Sequence, residues 1–336
     1  MKILFTFDYE LFLGPDTGTV ENCLIRPTEH LGEIARVSGA HFVFFIDVLY
    51  LLKLKEYIND SVKVQTDFYK VYNQLVGLHR EGHDLELHIH PQWFYSSYNI
   101  NEEKWNLDFK HYKLADCPED DVERMIVSSC DFLREITGGY PIAYRAGGYS
   151  APATKNYWEL LYKKGIKYDS SVIMGEKSET PFQSYDYSSI NTPVPYAFSS
   201  NNADIDPNGF LLEFPISSFQ VSRLFRAIIE KPLIKLQHKN LSVFGDGKGV
   251  GFLYKSENRK AKKHGLLDKI SLRSTIDFRN AVWVKHIITK GINNNYPYLV
   301  FIGHPKNQTE YSLYELERLL KKKQYANKVI TFRNIL

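Results

Sequence analysis

Apolar positions along the chain switch repeatedly between two periods. Residues 3–7 (I-L-F-T-F) and 40–46 (A-H-F-V-F-F-I) are short, almost unbroken apolar runs, the pattern of strands buried on both faces. Residues 82–93 read G-H-D-L-E-L-H-I-H-P-Q-W, where Leu85, Leu87 and Ile89 alternate with Glu86, His88 and His90. That period of two predicts a third strand, ended by Pro91, which cannot donate to a sheet ladder. Other segments repeat every three to four residues. Phe68, Val71, Tyr72, Leu75 and Leu78 mark a helix over 67–80 that Gly82 closes, and Pro27 and Thr28 open one reaching Ser38. Residues 118–137 form an amphipathic helix with acids in its first turn and Gly138-Gly139 behind it. Further helices are expected at 154–164 and 313–323, and strands at 142–145, 166–169, 211–214 and 298–302. Strands alternating with helices predict an α/β fold whose parallel sheet closes into a barrel. Without internal repeat or low-complexity linker, residues 1–336 read as one domain, and 217–297, where no period is clear, could hold an insertion or lid.

Composition adds limits. The chain is 43% hydrophobic and 24% charged, ordinary for a globular protein with a sizeable core. Its net charge of +3 is too balanced to argue for nucleic acid. Cys23, Cys117 and Cys130 are odd in number and widely spaced, which suits a reducing compartment rather than a disulfide framework. Neither a secretory signal nor a membrane-spanning run is expected, so the reading is cytoplasmic, with peripheral placement at the inner membrane face as the variant.

In barrels of this kind the chemistry gathers at the C-terminal ends of the strands. The strand ends deliver, in order, Asp8 with Glu10, His88 with His90, Arg145, Asp169, Glu213 and His304. An isolated H-x-H pair is more often a pair of surface or hydrogen-bonded core histidines; six ionisable strand ends of complementary type favour a site. On the strand, His88 and His90 project to one side, and two neutral imidazoles with the Glu10 carboxylate can hold a divalent cation with positions left for water and substrate. Such a cation lowers the pKa of a bound water from near 16 to about 7. Asp8 would take that water's proton, Arg145 would hold Asp8, and His304 would protonate a departing amine. Backbone N–H groups of the Gly147-Gly148-Tyr149 turn would meet the developing oxyanion. Zinc is the default for this donor set, and cobalt, manganese or nickel would be held by the same atoms.

These motifs in this order resemble the polysaccharide deacetylases, carbohydrate esterase family 4, with its NodB homology domain. The resemblance implies a distorted (β/α) barrel with about seven parallel strands. It also implies a catalytic base and an acidic metal ligand from the first motif (Asp8, Glu10), metal histidines from the second (His88, His90), an orienting arginine from the third (Arg145, with Gly148 and Tyr149), and a histidine from the last (F-I-G-H-P, His304). The family's usual second histidine stands four residues after the first. Here that position is Gln92, so His90 is the second ligand or none is; a branch with H-x-H-P-x-W, linked to surface-polysaccharide gene clusters, is the closer match. The function implied is removal of an N-acetyl or other acyl group from a sugar in a surface-polysaccharide precursor, nucleotide- or lipid-linked. Alternatives are an amide hydrolase of the same fold acting on an N-formyl sugar or cyclic amide, and a carbohydrate-binding relative without catalysis.

Several other features have two readings. Trp93, Phe94 and Tyr95 could form a sugar platform or roof the barrel. Glu86 is a partner for a ligating histidine or a salt-bridge residue, Asp169 a turn cap with Ser170 and Ser171, and His83 faces away from the site. The glycine-rich run at 244–251 lacks the ending of a phosphate loop and reads as a flexible loop. Lys255, Arg259, Lys260, Lys262, Lys263, Lys269 and Arg273 form a solvated charged segment or, on the sharper reading, meet a substrate phosphate.

Overall fold

A computed structural model describes residues 1–226, 228, 230, 232, 240–252 and 268–335. Counting strands of the main sheet only, β1 is Lys2–Tyr9, β2 Val43–Asp47, β3 Asp84–Ile89, β4 Ala143–Ala146, β5 Tyr168–Asp169, β6 Tyr196–Phe198, β7 Leu211–Glu213 and β8 Tyr298–Gly303. Their order is β6-β7-β5-β4-β3-β2-β1-β8. Every neighbouring pair is parallel except β6 with β7. The sheet curls until its margins meet, since Ile216, three residues past β7, makes a parallel bridge to Val300 of β8. The result is a distorted (β/α) barrel with seven parallel strands and one antiparallel strand at the edge.

The principal helices are α1 Arg26–Ser38, α2 Val48–Glu56, α3 Val62–Arg80, α4 Glu119–Thr137, α5 Lys155–Lys163, α6 Val284–Asn293 and α7 Glu310–Leu320. Gly39 and Gly138 end α1 and α4 in the left-handed conformation, where a residue without Cβ is unstrained. Helix α3 begins five residues before the expected start because Ser61 caps it, accepting from the Val64 N–H. Helix α7 begins three residues early for the same reason, with Thr309 and Ser312 in reciprocal capping bonds. Helix α2 was not expected: V-L-Y-L-L-K-L-K-E buries most of its sides and so shows no clean stripe. Among the described residues, no helix is long and apolar enough to cross a membrane.

The pleat sorts side chains between two cores. Ile3, Phe5 and Phe7 of β1, with Phe44, Leu85, Leu87, Tyr144 and Phe301, face the surrounding helices. Leu4, Val43, Phe45, Ala143, Val300 and Ile302 point inward and pack around Phe332 at the barrel floor. Following the inward positions up each strand leads from this floor to Asp8, Asp47, His88, Arg145 and His304. Strand register aligns them, with Asp8 opposite Phe45, Asp47 opposite His88, and His88 opposite Arg145. A period of two carried along parallel strands therefore delivers one polar layer at the mouth above an apolar floor.

Glu86 is two residues below His88 and too deep to support it. Its Oε2 accepts from the Ile142 and Ala143 N–H groups, and Oε1 lies 3.7 Å from Arg333. Burial, then the neighbouring Asp84, pushes its carboxyl up to about 8. A carboxyl raised on folding contributes stability that is complete below its ordinary value of 4.5 and is lost as pH rises through about 8. Glu86→Gln keeps an acceptor for both N–H groups and cannot ionise. We expect its thermal stability to fall less between pH 5 and pH 9 than that of the wild type, whose slope from this group approaches about 1.4 kcal/mol per pH unit. Parallel melting-temperature profiles contradict this assignment.

Candidate metal centre

Glu10, His88 and His90 are all buried, and one ligand atom from each lies within 4.8 Å of the others. His88 Nδ1 donates to the Arg145 carbonyl at 2.7 Å, which leaves Nε2 as the nitrogen facing the centre, 3.2 Å from Glu10 Oε2. His90 lies one residue beyond β3, yet its Nε2 comes within 2.5 Å of the same oxygen. It is His90, not Gln92, that meets Glu10. Gln92 sits behind it, with its amide nitrogen 3.5 Å from His90 Nδ1 and its amide oxygen without a partner among the described residues. Turned over, that amide would accept the Nδ1 proton and free Nε2 as a donor. A carboxylate oxygen and two imidazole nitrogens suit zinc and its neighbours in the transition series, so the residues present fit a divalent cation.

Close packing fixes the rings. A Cβ on Gly147 would stand 2.4 Å from the Ile89 carbonyl oxygen and 2.8 Å from His90 Nδ1, so no larger residue fits beside the imidazole. Gly148 and Tyr149 follow with φ of 58° and 62°, a left-handed pair that folds the chain back over the cavity; the Tyr149 carbonyl accepts from Tyr187 Oη at 2.6 Å. We expect Gly147→Ala to cost roughly 1–3 kcal/mol of stability through overpacking. By pushing His90 aside it should also weaken cation binding by about tenfold or more. Wild-type melting and binding would show that the ring has room to spare.

Beside the three donors stands Asp8, whose Oδ1 accepts from Arg145 Nη1 at 2.6 Å. Arg145 is itself fully buried, donates to the Ser170 carbonyl at 2.7 Å and lies 4.2 Å from the Phe45 ring. Across the cavity His304 points Nε2 at Asp8 Oδ2 (3.7 Å) and Glu10 Oε1 (3.8 Å), while its Nδ1 lies 2.7 Å from Asp277 Oδ2. Burial alone would push the His304 imidazolium down, but Asp277, then Asp8 and Glu10, outweigh it and raise it. Likewise His88 is raised to about 9 because Asp8 and Glu10 overcome its burial, whereas burial keeps His90 low. Burial would lift the Glu10 carboxyl, yet Lys306 and the two imidazoles hold it well below its usual range. Lys306 Nζ donates to Glu10 Oε1 at 2.8 Å.

These groups open into a cavity of about 500 Å³, walled by Phe12, Tyr112, Tyr149 and Phe182 and floored by the polar layer. Gly148 and Tyr149 border it. Trp93 does not. It is fully buried, 4.8 Å from the Tyr50 ring and 5.3 Å from Trp105 by centroids, because the short helix Gln92–Tyr95 turns it away from the mouth. The platform reading of Trp93 is corrected accordingly.

The other candidates find quieter places. Asp169 accepts from Ser171 Oγ at 2.6 Å and Asn202 Nδ2 at 2.8 Å, and Glu213 accepts from the Val172 N–H at 3.1 Å; both lie within the barrel wall. His83 is buried and accepts from the Phe42 N–H at 2.9 Å. The glycine-rich run makes specific contacts with neighbouring segments. Asp246 accepts from the Thr19 N–H and hydroxyl at 2.8 Å each, and a Cβ on Gly245 or Gly247 would strike Phe12. Gly249, Val250 and Gly251 then form part of the cavity wall. Arg273 is engaged with Glu176 at 2.5 Å and with the Tyr149 ring, and Lys255, Arg259, Lys260, Lys262 and Lys263 lie outside the described residues. Sequence reasoning missed Lys306 and Asp277. The run H-P-K could have flagged the first; nothing local could have flagged the second.

No protein-family model matches the chain, and no curated protein matches it. Among solved structures it is similar to PuuE allantoinase, at 11% identity over 99% of this chain and 87% of that one, with a TM-score of 0.49. It is similar to a probable polysaccharide deacetylase from Pseudomonas aeruginosa PAO1, at 13% identity over 97% and 86%, with a TM-score of 0.47. It is also similar to a GH57 branching enzyme from Thermococcus kodakaraensis, at 11% identity over 98% and 69%, with a TM-score of 0.46. The printed names of these three differ in reaction.

Proposed function

We propose that this protein is a metal-dependent hydrolase that removes an acyl group, acetyl by preference, from the nitrogen of a sugar. The observation that carries the reading is one arrangement: Glu10, His88 and His90 converge beside Asp8 held by Arg145, and His304 held by Asp277 stands 3.7 Å from Asp8. When bound, the cation would supply Lewis acidity toward the acyl carbonyl and the attacking water. The remaining work falls to the chain. Asp8 accepts the water's proton through the oxygen that Arg145 leaves free. His304 gives a proton to the departing nitrogen, and Asp277 fixes its ring and stabilises the protonated form, the pairing a general acid needs. The aromatic walls would take the apolar faces of a sugar, and a 500 Å³ cavity suits one or two sugar units better than a long polymer. Gly249 to Gly251, which line it, fall within 217–297, the segment that could hold an insertion or lid.

We infer a glycan precursor as substrate, in the cytoplasm or at the inner membrane face; the three free cysteines suit that compartment. The test is acyl release by zinc- or cobalt-loaded protein from N-acetylhexosamines presented free, nucleotide-linked and lipid-linked. Acetate release from one class supports the reading. Formate release, or opening of a cyclic amide, with no acetate moves it to the alternative substrate. Sugar binding without acyl release reduces the protein to a carbohydrate-binding relative.

A further inference from the structure

Lys306 has no part in the chemistry above, yet it occupies the most sensitive position near it. Its side chain enters from the turn after His304 and ends buried, with Nζ donating to Glu10 Oε1 at 2.8 Å and to the Leu11 carbonyl at 2.6 Å, and lies 5.0 Å from the Phe12 ring centroid. Burying an ammonium is costly unless a counter-charge meets it. The counter-charge here is the carboxylate whose other oxygen faces His88 Nε2 at 3.2 Å and His90 Nε2 at 2.5 Å. Glu10 therefore serves Lys306 with one oxygen and the donor cluster with the other. Two acids of the site are each paired with a buried base, Glu10 with Lys306 and Asp8 with Arg145. A divalent cation arriving at the cluster meets no uncompensated negative charge from these two acids. It also comes close to a fixed positive charge where water screens poorly.

Resting on the metal reading above, we propose that Lys306 is a charge counterweight that lowers the affinity of the Glu10–His88–His90 cluster for every divalent cation. Only ions with a strong preference for imidazole nitrogen overcome that handicap, and hard, oxygen-seeking ions such as Mg²⁺ are left out. Lys306 is thus a specificity-determining residue of the centre. Its hydrogen bond also confines Glu10 to a single oxygen toward the cluster, but removing the repulsion outweighs losing that restraint.

The experiment is calorimetric titration of the chelator-stripped full chain with ZnCl₂ and with MgCl₂, for the wild type, Lys306→Met and Lys306→Arg. Lys306→Met is expected to bind Zn²⁺ about tenfold or more tighter than the wild type and to show measurable Mg²⁺ binding, while Lys306→Arg, which keeps the charge, gains no affinity. Lys306→Gln, which keeps a donor for the Leu11 carbonyl, repeats the measurement if the methionine variant melts below the assay temperature. A folded neutral variant that binds Zn²⁺ no tighter than the wild type overturns the counterweight. A wild-type chain that binds no Zn²⁺ at all overturns the metal reading itself, a separate and recognisable result.

Discussion

Asp8→Asn is expected to lower turnover by about 10²–10⁴-fold while zinc binding changes little, because the substitution keeps the shape of the side chain and removes only its ability to accept a proton. Asp8 is well placed for this division of labour. One oxygen is fixed by Arg145 at 2.6 Å, and the other faces the cavity, 3.7 Å from His304. The variant should also lose some stability, since Arg145 is fully buried beside Ser170 and Phe45 and would face a neutral amide in place of its carboxylate. Breaking a buried pair outright costs about 3–5 kcal/mol. Asparagine still presents an oxygen to the guanidinium, so a smaller cost is expected. Turnover within a few-fold of the wild type, in a folded and zinc-loaded variant, removes Asp8 from the base role.

The second large effect belongs to the donors. His88→Ala should weaken zinc binding by well over about a hundredfold, more than the loss of an outer-sphere partner causes. Two things go at once: the Nε2 that faces Glu10 and the Nδ1–H bond that ties the ring to the Arg145 carbonyl at 2.7 Å. His90→Ala should match it, because both rings meet the same carboxylate oxygen. Equal loss at both positions marks one shared centre. A loss at His88 alone would leave His90 as a core histidine and reduce the centre to two donors.

The strand-end chemistry was legible for a geometric reason. In a parallel sheet all strands end at the same mouth, so the last inward residue of each meets the others whatever its distance along the chain. Asp8, His88, Arg145 and His304 are such residues, and reading the ends in order sufficed to gather them. His90 was legible through its spacing from His88, although it lies past the strand. Trp93 was not. Adjacency to the histidines suggested the cavity, but one helical turn at Gln92–Tyr95 redirects the indole into the core. Asp277 was beyond reach because its partnership with His304 is purely tertiary and it comes from the stretch without period. Lys306 could be seen as a charge beside His304, but not as a partner of Glu10, a contact across 296 residues. The packing of the glycine-rich run was not legible either, because its glycines stand in close approach to Phe12 and the Lys306 backbone, which lie far away along the chain.

The proposed chemistry requires one divalent cation held jointly by Glu10, His88 and His90. X-ray absorption at the zinc edge on the zinc-loaded chain reads this directly. The expected result is one zinc per chain, with scattering from two imidazoles at about 2.0–2.1 Å beside oxygen donors, and with one imidazole lost in His88→Ala. Substoichiometric zinc, or a spectrum without imidazole scattering that His88→Ala leaves unchanged, would contradict it.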